Sequence, residues 1–383
     1  MTPRITVAGG GAVGLSLACA VPDCEVHVLE AAPRRESLPG EAYEARILAL
    51  SPGTRAFLRD IGAWERLDAR RIAAIRRMEV HGDGGAHLNF AARPGAALAW
   101  VLEAGRLADA LETQAASLGQ VTISHGARVA EAGVIDATAW AQLADGSRIE
   151  ADLLVGADGP DSPLRSALGI AFEERPYGET ALVANFDTEK PPGDTARQWF
   201  RADGVLAWLP LPGSRISIVW SAPNAVAREL EALDARAFER RVRDAGESVL
   251  GDFVLASPVK AFPLRMVRVA QPVVSRVALV GDAAHAIHPL AGQGINLGFQ
   301  DVRVLAEAIA GRSPLEAPGD LQVLRRYARA RSEDVTAMQF VTDGLDRLFS
   351  TGKPGAFTLR NTGMGLVEGQ EWAKAALVRR AMR

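Results

Sequence analysis

Apolar positions along this chain follow two periods, and the change of period marks the change of element. The stretch "RITVAGGGAVGLSLACAVPDCEVHVLE" opens with a β-rich run, Ile5 to Val7, passes through glycines, and continues as an Ala/Leu helix that Pro22 stops. A second strand, Val26 to Leu29, ends in Glu30, which predicts a βαβ start. A charged helix is expected from about Thr54 to Arg71. Two strand-like pieces flank the Gly-rich turn of "MEVHGDGGAHLNF", and "RLADALETQAAS" carries apolar residues at helical spacing. The segment "WAQLADGSRIEADLLVGADG" reads as a hairpin closed by Asp145-Gly146, because that dipeptide tolerates the positive φ of a two-residue turn. Its second arm feeds the strand Leu153 to Gly156.

From about Gly169 to Pro263 the texture becomes strands rich in Trp and Phe, as in "RQWFRADGVLAWLPLPGSRISIVWS", with one helical insert around Ala227 to Ala245. "RVALVGDAAH" then returns to the opening type of strand, and helices at about Ile295 to Ala310 and Leu321 to Leu348 follow. The two ends of the chain thus predict one α/β unit around an inserted β-rich layer. There is no internal repeat and no low-complexity linker; "STGKPGAF" is the best late loop.

Composition narrows the classes. With 48% hydrophobic and 23% charged residues in 383, the chain suits one large core or two smaller ones. A net charge of −3 gives no basic excess for a polyanion, so nucleic acid is not an expected partner. The two cysteines, Cys19 and Cys24, have the wrong spacing for a CxxC pair and suit a reducing cytoplasm. No apolar run of about 18 residues is present, and the first residues lead directly into a strand without a basic leader, so neither export nor a membrane span is expected.

Three strand ends carry the candidate chemistry. Gly9, Gly11 and Gly14 form GxGxxG between a predicted strand and helix, where glycines permit the tight turn and backbone N–H groups can approach a pyrophosphate. That spacing alone also fits a chance turn; the register with Glu30, 21 residues after Gly9 and placed to accept a ribose hydroxyl, favours a dinucleotide. Glu30 would repel a 2′-phosphate, so FAD or NAD suits this site better than NADP. "DLLVGADGPDSPLR" and "RVALVGDAAHAIHPLAGQGINLGFQD" each end a strand in Gly/Asp, and an NAD-only domain explains neither. His285 and His288 with Asp282 could suggest a metal, but a proline turn follows them and no clear third ligand is present.

Together the three motifs resemble the fingerprints of single-component flavin-dependent aromatic hydroxylases, and over nearly the whole chain the sequence resembles their ubiquinone-biosynthesis branch. "HPLAGQGINLGFQDVRVLAEAI" and "RRYARARSEDVTAMQFVTDGLDRLFS" are its most specific stretches. The resemblance implies a Rossmann-like three-layer FAD-binding domain from 1–168 and 266–383, with a minor substrate-side segment at about 72–100, a β-sheet substrate domain at 169–265 and C-terminal helices. It assigns Gly9, Gly11, Ala12, Val13, Gly14 and Glu30 to FAD, Asp158 and Gly159 to FAD and NAD(P)H, and Gly281 and Asp282 to the ribityl and pyrophosphate portion. Pro289, Gly292, Gln293, Gly294, Ile295 and Asn296 would shape a turn into a helix whose N-terminus offers N–H donors to the flavin. Arg46 in "EARILALSPGTRAFLRDIGAWERL" matches an arginine that lies against the flavin, Arg106 in "GRLADAL" matches another FAD-contacting arginine, and Val129 matches a residue whose backbone meets adenine. Two departures are the short first helix and the brief C-terminal tail.

The implied reaction has NADH or NADPH reduce FAD, after which molecular oxygen forms a flavin C4a-hydroperoxide that hydroxylates a polyprenylated phenol. Between the flavin and the inserted sheet, Trp199, Phe200, Trp208, Leu209 and Pro210 are candidate pocket residues, with plain sheet core as the alternative for each. His288 is the candidate catalytic residue, either helping to ionise the phenol or capping its turn. The implied partners are that phenol and other ubiquinone-biosynthesis proteins. The basic "EWAKAALVRRAMR" could touch anionic lipid or a partner, against a solvated terminal helix, so the expected location is cytoplasmic or peripheral at the inner membrane surface. The alternatives are a related hydroxylase or epoxidase acting on another aromatic or isoprenoid compound, and a flavin-binding scaffold.

Overall fold

The computed structural model describes residues 2–35, 43–288 and 293–350, with Glu368 and Gln370, and the side chains of 345–350 are left aside. The βαβ pattern of the first residues grows into a six-stranded sheet. Its order is Val273–Val274, Val277–Leu279, Leu153–Gly156, Arg4–Ala8, Glu25–Glu30, Val121–His125. All neighbours are parallel except the edge pair Val273–Val274 and Val277–Leu279. These strands are nearly continuous apolar runs because both faces are covered. Ile5, Val7, Val26, Val28, Leu153 and Val155 pack with the helices Ala12–Ala20, Ala104–Ala116 and Gly294–Ala310. Ala8, Leu29 and Leu154 face the other way, onto an antiparallel sheet of Val129–Ile135, Thr138–Leu143 and Arg148–Ala151. Helices, parallel sheet and antiparallel sheet therefore make three layers, and Gly146 closes the expected hairpin with φ +87°.

Two expected helices are interrupted. The first runs only from Pro52 to Asp60, capped by the Ser51 side chain, because Gly62 turns left-handed at φ +74°; single turns at Trp64–Arg66 and Ala69–Arg71 follow. The insert splits into Asn224–Glu231 and Ala235–Ala245, since Asp234 accepts from Ala237 N at 2.8 Å and starts a new helix.

The Trp-rich stretch builds a second sheet in the order His285–Ala286, Lys260–Arg268, Glu173–Thr188, Arg215–Pro223, Gly204–Leu211, Thr195–Arg201, Arg77–His81, His87–Ala91, with Phe253–Leu255 also beside Glu173–Thr188. Alternation divides its side chains between two faces. Trp199, Leu206, Trp208, Ile218 and Trp220 lie under the two insert helices. Pro210, paired with Ile216, shares that covered face. The opposite face presents Ala196, Leu209 and Leu211 to Ile75, Val101 and Tyr43, around a small sheet of Ile47–Leu50, Ala99–Glu103 and Ala73–Ile75.

The layers are joined by a buried charge cluster. On the Gly294–Ala310 helix Asp301 is fully buried and accepts from Gly281 N at 2.9 Å, from His285 Nε2 at 2.6 Å and from Arg331 Nε at 2.7 Å. Tyr327, also on the last long helix (Leu321–Ser350), donates its hydroxyl to Leu279 O at 2.8 Å. Burial opposes both charges, yet His285 and Arg331 outweigh it for Asp301, whose carboxyl is held below its ordinary value. The Asp301 carboxylate does the same for His285, which is pushed above its ordinary value.

Two outcomes follow from this packing. Trp208→Ala empties a site whose ring lies against Phe253 and the Gly246 backbone, and should cost about 3–5 kcal/mol in urea unfolding. The His285–Asp301 pair contributes fully between the ordinary carboxyl value of 3.8 and the ordinary imidazole value of 6.5. Its contribution should fade as pH rises through the raised His285 value, and again as pH falls through the lowered Asp301 value. In denaturation midpoints measured across pH, His285→Gln should lose the alkaline part of that decline.

Candidate functional site

At the C-terminal end of the parallel sheet the chain turns tightly at Gly9, φ +108°, whose N–H donates to Leu29 O at 2.8 Å. A Cβ on Gly9 would run into Ala157 O, and one on Gly14 into Gly9 O, so only glycine lets the Ala12–Ala20 helix start this close to the strand. Gly11 has open space where a Cβ would sit, and the helix carries no side-chain cap. The first N–H groups of Ala12 and Val13 thus face the opening, the condition for holding an anion. Glu30 stands beside this turn, accepting from Gly10 N and Ala32 N, each at 2.8 Å. Val129 is buried beneath it with Ala8 and Leu29.

Asp158 and Gly159, φ +85°, follow the neighbouring strand. The Asp158 carboxylate accepts from Ser162 Oγ at 2.6 Å and Leu164 N at 2.9 Å, which organises the turn into the short helix Pro163–Ala167. Burial nevertheless pushes its carboxyl above the ordinary value. Arg165, unassigned by the sequence reading, is buried and donates to Pro160 O at 2.7 Å and to Ala283 O at 2.8 Å. It therefore fastens the Asp158 turn to the Gly281 turn.

Gly281, φ +60°, and Asp282 lie in the single turn Gly281–Ala283 after the strand Val277–Leu279. A Cβ at Gly281 would sit 3.3 Å from Val13, and one at Gly298 would sit 2.8 Å from it. Val13 thus brings the first glycine turn, the Gly281 turn and the Gly294–Ala310 helix together. Burial raises the Asp282 carboxyl, while His285 and Arg46 pull it back. Arg46 is exposed, and its charge favours the ionised form of Asp282.

Other candidates have internal work. The Asn296 side chain accepts from Ser51 N at 2.9 Å and Thr54 Oγ1 at 2.8 Å and donates to Ala49 O at 2.9 Å, so it ties two helix starts together and leaves only its backbone for a ligand. Arg106 donates to Glu103 at 3.0 Å, where the nearly fully buried carboxylate is also forked by Arg71 at 2.8 and 2.9 Å. Gln293 and Gly294 open the last helix pair's first member, with Ile295 packed on the core, while Pro289 and Gly292 lie outside the described residues, as does 371–383.

His285 and His288 do not share a ligand: the first pairs with Asp301, and the second, 1% exposed, has Nε2 at 3.0 Å from Glu179 and its ring edge on Tyr177 at 4.8 Å. His288 Nδ1 is buried without a hydrogen-bond partner among the described residues. For the aromatic candidates the sheet parity is decisive. Trp199, Trp208 and Pro210 belong to the helix-covered face and so line no space between the layers; of the five, Leu209 alone meets Tyr43 and Ile47, and Phe200 packs out at the Arg77–Ala91 hairpin with Val80. The residues that sequence reasoning missed on the inner face are Asn185 and Ser217, a cross-strand pair. Both are buried, and Asn185 Oδ1 and Ser217 Oγ have no hydrogen-bond partner among the described residues, although Asn185 Nδ2 donates to Glu44 O at 2.7 Å. Polar residues inside a Trp-rich sheet were their only sequence signal.

These residues fit a dinucleotide with a bulky second half: a cradle that side chains at Gly9 or Gly14 would fill, uncapped N–H donors, Glu30 for a ribose, and Asp282 facing Arg46 where a longer ligand continues. Comparison with known proteins agrees. The FAD binding domain family matches residues 2–341. The ubiquinone hydroxylase of Rhodospirillum rubrum is 33% identical over 99% of this chain and 89% of its own length. The 3-demethoxyubiquinol 3-hydroxylase of Escherichia coli is 33% identical over 95% of this chain and 94% of its own. The fold is that of Klebsiella pneumoniae HpxO, solved with FAD and uric acid, at a TM-score of 0.78 and 20% identity, covering 99% of this chain and 97% of that one. Three strand ends, each with its own glycine or acid, thus converge on one opening, and the chain belongs to the FAD-binding-domain family of flavoprotein monooxygenases that includes the ubiquinone-biosynthesis hydroxylases.

Proposed function

We propose that this chain is an FAD-dependent monooxygenase that hydroxylates the aromatic ring of a polyprenylated phenol in ubiquinone biosynthesis. The observation that carries the reading is the meeting of the Gly9–Gly14 turn with the Gly281–Asp282 turn at Val13, with two buried polar atoms on the interlayer sheet face that have no hydrogen-bond partner among the described residues. The relatives named for ubiquinone hydroxylation support the substrate class.

Bound FAD, reduced by NADH or NADPH, supplies the means of activating molecular oxygen for transfer to an electron-rich ring. The chain's residues do the rest. The backbone N–H groups of Gly11, Ala12 and Val13 hold the pyrophosphate, Gly9 and Gly14 make room for the turn that presents them, and Glu30 accepts from the ribose. Asp158 and Asp282 take hydroxyls of the linker, and Arg46 and Arg106 bring positive charge to the flavin side. Asn185 and Ser217 offer an acceptor and a hydroxyl to polar ring substituents, and Leu209 with Tyr43 excludes water around the ring. Glu179 holds the proton on His288 Nε2, which leaves Nδ1 as an acceptor for the phenolic proton. Residues 1–168 and 266–383 form the cofactor part, with 169–265 and about 72–100 on the substrate side. In this reading the polyprenyl tail is met by peripheral contact with the bilayer surface; among the described residues no helix is long and apolar enough to cross a membrane.

Loss of the chain should make a quinone precursor lacking one ring oxygen accumulate, read by mass spectrometry of cell extracts; an unchanged precursor pool overturns the reading. Gly14→Ala should purify without yellow colour, because its methyl group collides with Gly9 O. Ser217→Ala should keep FAD and raise KM for the phenol about tenfold, as the loss of one buried hydrogen bond requires, in a steady-state NAD(P)H oxidation assay.

A further inference from the structure

A cavity of about 480 Å³ lies between the stretch Arg268 to Ser275 and the helix Leu321–Ser350. It touches Ala284, His285 and Asp301, but Gly9, Glu30, Arg46 and Asp282 take no part in its walls. Three arginines, Arg268, Arg325 and Arg331, line it against the single carboxylate of Asp301. That carboxylate already receives three donors, so it does not balance them. Arg331 is 4% exposed; its Nε and Nη1 are engaged by Asp301, Gln300 and Asp334, while Nη2 is buried with no hydrogen-bond partner among the described residues. A desolvated guanidinium N–H without an acceptor is costly. Water would satisfy the donor but not the excess positive charge. The remaining walls, with Val269, Pro272, Val274 and Val335, are apolar and suit a short hydrocarbon body.

We propose that this cavity is an effector site for a small organic carboxylate, seated on Arg331 with Arg268 and Arg325 at its sides, and coupled through Asp301 to the turn that bears Asp282. The coupling path is short: Arg331 Nε to Asp301 Oδ1, and Asp301 Oδ2 to Gly281 N, the residue before Asp282. An anion that fixes Arg331 fixes Asp301, and with it the turn that the cofactor meets. By linkage the carboxylate and FAD then tighten one another's binding by the same factor.

The test uses the full chain with and without FAD, hexanoate as probe, and hexanol and inorganic phosphate as controls. Calorimetry should find one hexanoate per chain, no comparable binding of hexanol, and weaker binding of phosphate. The FAD dissociation constant, read by flavin fluorescence, should fall about fivefold or more at saturating hexanoate. Arg268→Gln combined with Arg325→Gln, both exposed in the free protein, should weaken hexanoate about tenfold or more. Arg331→Lys should abolish the effect on FAD. Equal binding of hexanol, unaltered affinity in the double variant, or an FAD affinity indifferent to hexanoate would overturn the proposal, and phosphate binding tighter than hexanoate would overturn the organic class of ligand. The double variant leaves the Asp301 cluster intact, so the result stands even if the Arg331 variant does not fold.

Discussion

One carboxylate holds this molecule's functional end in place. Asp301 sits between Leu297 and Leu305, one turn before and one turn after it on a helix buried on most sides, and accepts a backbone N–H, an imidazole and a guanidinium there. A lone buried charge would be very costly, whereas one with three donors is tolerated and strongly directional. Removing a single partner from such a cluster typically costs about 3–5 kcal/mol, so the position of the turn at Gly281 depends on how well this cluster is held. Everything on the cofactor side inherits that position: Asp282 follows in sequence, Val13 packs on Gly281, and Arg165 reaches Ala283 from the Asp158 turn.

The second constraint is steric. The glycines of the first turn are required because backbone approaches backbone: a methyl group at Gly9 or Gly14 would meet a carbonyl oxygen. The same closeness leaves the N-terminal N–H groups of the Ala12–Ala20 helix unhindered on the outer side, where Gly11 opens onto free space. Close packing on one side and openness on the other leave this helix end accessible to an anion.

The large sheet divides its labour by face. Its Trp-rich face is sealed by two amphipathic helices and supplies stability, with Trp208 between Trp199 and Phe253. Its other face meets the small sheet around Tyr43 and holds the polar pair Asn185 and Ser217. Heavy aromatic residues thus fill the helix-covered face, and small polar ones are placed on the face between the layers.

The sequence by itself determined the parallel sheet, the glycine turn, the acid at the end of the second strand, the Asp145-Gly146 hairpin and the three strand ends that mark a flavoprotein. All of these are local: a period of apolar residues, a glycine where φ must be positive, an acid a fixed distance away. It was silent about which strand face looks inward, because alternation gives two equivalent faces and only the helices 224–231 and 235–245 choose between them. That choice moved Trp199, Trp208 and Pro210 into the core and brought Asn185 and Ser217 to the interlayer face. Asn296 was read as a ligand residue although its amide joins Ser51, Thr54 and Ala49, some 245 residues away in sequence. Asp301 did leave a sign, a carboxylate within an apolar helix face, but its partners lie 16, 20 and 30 residues distant. Periodicity reports what a residue's neighbours in the chain require, and only the folded chain shows which distant groups meet a buried charge.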